Sequence, residues 1–164
     1  MVENCVEILL VEDNPNDVKL ALHAFKSNHL ANRVHVVRDG VEALEFLFGG
    51  EGQPVRTAAE LPRVILLDLK LPLVDGHEVL RRIKADLRTR KIPVVVMTAS
   101  KEERDMVETY ELGVNSYIVK PVDFDQFTEA MRHLGHYWLL LNQVPAMPKP
   151  AGAPVGPAAS FVAR

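Results

Sequence analysis

The sequence has a single cysteine, Cys5, so an internal disulfide is excluded. It has no excess of basic residues. Nineteen Lys and Arg stand against 22 Asp and Glu, a formal net charge of −3. That balance leaves no electrostatic footprint for nucleic acid. It has no long hydrophobic run either. The apolar stretch from Val6 to Val11 is interrupted by Glu7 and does not form a signal peptide. No run approaches the roughly 20 apolar residues of a membrane span. The expected setting is a reducing cytoplasm, with neither membrane nor nucleic acid as a partner.

What is present is enough apolar residues, 48% of 164, for one domain with a substantial core. Five short apolar runs recur along the chain: residues 6–12, 34–38, 64–68, 94–98 and 116–120. They are rich in Val, Ile and Leu and carry little polar alternation. Strands covered by helices on both faces have this composition. After each run comes a helix-start pair, a side-chain acceptor followed three residues later by an acid or amide. The pairs are Asn14 with Asp17, Asp39 with Glu42, Asp75 with Glu78, Ser100 with Glu103, and Asp123 with Gln126. Pro15 suits a first helical position and Gly113 suits a helix stop. Strand–helix alternation predicts a five-stranded parallel sheet flanked by five helices, with right-handed crossovers. Sites in such sheets form outside the carboxyl ends of the strands.

Two regions fall outside this pattern. Residues 49–61 form a long connection with three glycines and one proline. Residues 145–164 hold five of the eleven prolines and read as an extended tail beyond a domain of residues 1–144.

The strand ends carry the chemistry. The first predicted strand ends in Glu12 and Asp13, the third in Asp68, the fourth in Thr98 and the fifth in Lys120. Two carboxylates about 4 Å apart repel by roughly 4 kcal/mol at an effective dielectric near 20. Three acids and one lysine leave a charge of −2, which a divalent cation neutralises. Oxygen-only ligands select a hard ion, Mg²⁺ or Mn²⁺. A carboxylate beside such an ion, with Lys and Thr aimed at the same point, can accept a phosphoryl group. Taken singly, each residue has a plainer role: Asp68 as a turn residue, Thr98 as a strand end, Lys120 as a solvated side chain. Their convergence on one sheet edge argues for function.

These residues lie in ILLVEDNPND, VILLDLKLPLVDG, VVVMTAS and SYIVKPV, and the chain from about Val6 to Asn142 resembles the receiver domain of two-component response regulators. Thr98 stands 30 residues after Asp68, Tyr117 follows 19 later and Lys120 another 3, which matches that family. The resemblance implies a flavodoxin-like (βα)5 fold and no enzyme activity beyond self-catalysed phosphoryl acceptance and slow autodephosphorylation. It implies Asp68 as phosphoacceptor, with Mg²⁺ or Mn²⁺ held by Glu12, Asp13, Asp68 and the backbone carbonyl of Lys70. Lys120 and Thr98 would contact the phosphoryl group, Thr98 and Tyr117 would form the switch, and a cis peptide bond would precede Pro121. A finer resemblance is to small stand-alone regulators paired with phytochrome-type histidine kinases. It rests on the 49–61 connection, the NPND turn and the terminal HYWLLLNQVP.

A helix is expected from about Phe124 to Asn142, with Phe127, Ala130, Met131, Leu134, Tyr137, Trp138 and Leu141 on one stripe. Its last turns are apolar nearly all round, which marks a partner surface. The expectation is a homodimer through Tyr137, Trp138 and Leu141. The alternative is that the chain's own tail covers them. His133 and His136 stand three apart on this helix without an acid or Cys in the pattern to complete a metal site, and His23, His29, His35 and His77 show no ligand spacing. Two other functions fit less well. A haloacid-dehalogenase-type phosphatase would want an acid or Thr two residues after its nucleophile, where Lys70 stands. A vestigial interaction module would not need the complete strand-end set.

Overall fold

The structure is a computed structural model and describes residues 6–27 and 33–143. Cys5, His29 and the expected tail, with its boundary at residue 144, lie outside the described residues.

Five strands, β1 (Ile8–Val11), β2 (Val34–Val37), β3 (Val64–Leu67), β4 (Val94–Thr98) and β5 (Ser116–Val119), form one parallel sheet in the order β2-β1-β3-β4-β5. β1 and β3 pair Val11 with Leu67, so both strands end at the same level. The five helices are α1 (Pro15–Ser27), α2 (Gly40–Phe48), α3 (Gly76–Ala85), α4 (Glu103–Glu111) and α5 (Phe124–Gly135).

The apolar runs lack alternation because both faces of the sheet are covered. Leu9, Val11, Ile65, Leu67, Val94 and Val96 enter one core, which they share with α2 and α3. Their neighbours Ile8, Leu10, Val64, Leu66, Val95 and Met97 enter the other, against α1 and α5. Period-two side-chain direction thus splits each run between two cores.

Four of the five expected helix starts form. The side chains of Asn14, Asp39, Asp75 and Asp123 accept the N–H groups of Asp17, Glu42, Glu78 and Gln126. The fourth differs. Ser100 Oγ donates to Asp105 Oδ2 at 2.5 Å and accepts the N–H of Glu102, so the chain turns two residues further before α4 begins, with Glu102 as its cap. Gly113 ends α4 in the left-handed conformation, φ 96°, as expected. Within the 49–61 connection a short 3-10 helix, Ala58–Glu60, is held where Glu60 accepts both the N–H and the hydroxyl of Thr57.

Gly76 opens α3 against the loop that leaves β3. Its N–H donates to the Leu69 carbonyl at 2.8 Å, and a Cβ at this position would lie 2.3 Å from the Asp68 carbonyl oxygen. Only glycine allows that approach.

The expected single helix from Phe124 to Asn142 is two segments. α5 stops at Gly135 and a π-helical turn, His136–Leu141, follows, in which Asn142 N–H reaches back five residues to the Tyr137 carbonyl at 2.7 Å. The wider turn changes the phase of the stripe. Leu139, off the expected stripe, enters the core, while Leu141, expected on the dimer surface, is 59% exposed.

Candidate functional site

The site is built on the carboxyl edge of the sheet. β1 and β3 are central strands whose last apolar residues are fully covered, so Glu12 and Asp68 emerge from the core side by side and are themselves buried. Asp13 follows Glu12 and is exposed at the rim. Glu12, Asp13 and Asp68 each offer an oxygen within 4.8 Å of the others. Lys120, just after β5, crosses above β4 to reach them. Its Nζ donates to Glu12 Oε2 at 2.5 Å and to Asp68 Oδ2 at 2.9 Å.

A further carboxylate joins the group. Asp17 Oδ2 accepts from Lys120 Nζ at 2.9 Å. In the sequence Asp17 reads as the partner of the Asn14 cap, and its backbone N–H does meet Asn14. The signal for its second role is the short step from the end of β1 to Pro15, which aims the first turn of α1 over the same edge.

The charges alter one another. Burial lifts the Glu12 carboxyl to about 7, against the pull of Lys120 and with help from Asp68. Burial works against the Lys120 charge, but hydrogen bonds to Glu12, Asp68 and Asp17 outweigh it and hold the ammonium above its ordinary value. The remaining donors are backbone groups. Lys70 N–H lies 3.3 Å from Asp68 Oδ1, and Asn14 N–H lies 3.1 Å from Glu12 Oε1.

Thr98 is fully buried, and its Oγ1 accepts the Ser100 N–H. Tyr117 is half-buried and donates its hydroxyl to the Ser100 carbonyl at 3.2 Å. Burial raises the Tyr117 phenol, and nearby Asp105, Glu102 and Asp68 add to it. Thr98, Ser100 and Tyr117 are therefore one connected unit. The expectation for Pro121 is corrected: the described residues contain no cis peptide bond, and Lys120–Pro121 is trans. The trans form is intrinsically preferred even before proline, and Lys120 reaches all three carboxylates from it.

Of the expected dimer residues, Tyr137 and Leu141 are exposed, and Trp138 is partly covered, packing edge-on against Tyr137 with ring centroids 4.9 Å apart. Beside them a groove of about 440 Å³ runs between the end of α5 and the edge strand β5, lined in part by Ile118, Ala130 and Leu134.

Residues 8–132 match the response regulator receiver domain family, and the chain belongs to it. It is 44% identical over 138 residues to the probable methanogenesis regulatory protein FilR2 of Methanothrix harundinacea, covering 84% of this chain and 86% of that one. It is 37% identical over 139 residues to response regulator Rcp1 of Synechocystis, covering 85% and 92%. The Mn²⁺-bound form of Rcp1 superposes with a TM-score of 0.76 over 86% of this chain and 99% of that one. The phosphorylated cyanobacterial phytochrome response regulator RcpA superposes with a TM-score of 0.77 at 37% identity, covering 87% and 99%. This protein is a receiver-domain response regulator, homologous to the regulators of phytochrome signalling. Among the described residues no helix is long and apolar enough to cross a membrane.

Proposed function

We propose that Asp68 takes a phosphoryl group from the phosphohistidine of a histidine kinase. A carboxylate oxygen of Asp68 attacks phosphorus, the P–N bond breaks, and the imidazole leaves with the electron pair. The observation that carries this reading is the convergence of Lys120 on Asp68, Glu12 and Asp17 at the end of the central strands. Lys120 is already 2.9 Å from the carboxylate that attacks, so it can follow the charge onto the phosphoryl oxygens. The all-oxygen set of Glu12, Asp13 and Asp68 fits a hard divalent cation, with the Lys70 carbonyl as a further ligand. When bound, Mg²⁺ or Mn²⁺ supplies charge neutralisation on the transferring group.

Thr98 gives its hydroxyl to the phosphoryl group. Because Ser100 N–H rests on Thr98 Oγ1 and Tyr117 rests on the Ser100 carbonyl, a shift of Thr98 loosens Tyr117. The face made by α4, β5 and α5 then changes shape for a partner. Asp68→Asn is expected to abolish labelling by acetyl phosphate on a phosphate-mobility gel, and EDTA to do the same for the wild type. Labelling that persists in Asp68→Asn overturns the assignment. Similarity to RcpA supports a phytochrome-type kinase as donor, which comparing transfer rates from several kinases would check.

The exposed Tyr137 and Leu141 favour a second element, a homodimer through the end of α5. Light scattering is expected to give twice the monomer mass. A monomer at high concentration overturns it.

A further inference from the structure

His77 showed no ligand spacing in the sequence, yet the fold gives it two carboxylates. It lies in the first turn of α3 and faces Asp105 and Glu108, which stand three apart on one face of α4. His77 Nε2 is 3.6 Å from Asp105 Oδ1 and 3.7 Å from Glu108 Oε2. Both distances exceed a hydrogen bond. The Nε2 atom is buried and has no hydrogen-bond partner among the described residues. A buried polar atom with nothing to bond is costly and asks for an explanation.

The separations fit a shared ion. Ligands about 2.0–2.2 Å from zinc at tetrahedral angles lie roughly 3.4 Å from one another. The two gaps to His77 need only a few tenths of an ångström of closure. All three ligand atoms already lie within 4.8 Å of one another. Ser100 Oγ holds Asp105 Oδ2 and leaves Oδ1 facing the imidazole. Two carboxylates and a neutral imidazole carry −2, matched by a divalent ion. An imidazole in the set selects zinc, nickel or cobalt over magnesium.

We infer that His77, Asp105 and Glu108 form a second metal site, for a borderline divalent ion of the Zn²⁺ class, which ties α3 to α4. It is separate from the oxygen-only site at the strand ends.

Co²⁺ is the probe, titrated into the full chain carrying Asp13→Asn and Asp68→Asn to disable the oxygen site. One equivalent is expected to bind, with visible absorption bands of an imidazole-ligated ion and a rise in melting temperature. Adding His77→Ala is expected to weaken binding at least about tenfold and remove the bands. Glu108→Gln, on the exposed part of α4, is expected to weaken it as well and guards against misfolding of the His77 variant. His133→Ala, which removes the histidine beside Glu129, is expected to change nothing. Absence of binding, or binding that survives both His77→Ala and Glu108→Gln, overturns the site. So does an NMR titration in which His77 holds its proton and ignores the ion.

Discussion

Two lysines, one at each end of the sheet, sit in the protein in comparable burial and meet opposite fates. Lys120, at the carboxyl edge, faces three carboxylates and keeps its proton more tightly than a free lysine. Lys84 reaches the amino edge of β4, where its Nζ meets the carbonyls of Arg90 and Ile92 and the Asn115 amide oxygen. With only neutral acceptors there, burial lowers it to about 8. The difference lies in the partners and not in the lysine. At the amino edge the charge is a staple, joining the end of α3 to the starts of β4 and β5. At the carboxyl edge the same ammonium is one member of a charge cluster held ready for exchange.

Removing Lys120 tests the comparison hardest. Lys120→Met leaves Glu12, Asp17 and Asp68 facing one another, and about 3 kcal/mol of stability is expected to be lost in urea unfolding with EDTA present. Mg²⁺ is expected to return a large part of it, because an ion that binds only the folded chain stabilises it. A loss below about 1 kcal/mol would show that the carboxylates do not depend on Lys120.

The Lys84 effect is smaller and appears as a pH dependence. Unfolded, this lysine keeps its proton to about pH 10.5, and folded it releases it near pH 8. Between those values the unfolded chain binds more protons, so stability rises with pH. The wild type is expected to gain on the order of 1–2 kcal/mol over that range relative to Lys84→Met. A constant difference between the two stability curves would remove the contrast with Lys120.

The layout of the fold could be read from the residues because each strand is apolar on both faces and four of the five caps behave locally. The meeting of Glu12, Asp68 and Lys120 was equally readable, since each follows directly from where a strand stops. What escaped the sequence depends on contacts across elements. The Ser100 hydroxyl is spent on Asp105, so α4 starts late. The π turn brings Leu139, off the expected stripe, into the core. Asp17 looked like half of a cap and also holds Lys120. His77 meets its carboxylates on another helix, which no spacing along one helix reveals.

Gly76 gives the last consequence. With a missing Cβ that would fall 2.3 Å from the Asp68 carbonyl, there is no clearance between the first turn of α3 and the loop after β3. The Gly76 N–H closes this contact by donating to the Leu69 carbonyl. His77 is the next residue along. The α3–α4 seam therefore begins one residue from a backbone contact with Asp68 itself, along a route that involves neither Thr98 nor Tyr117.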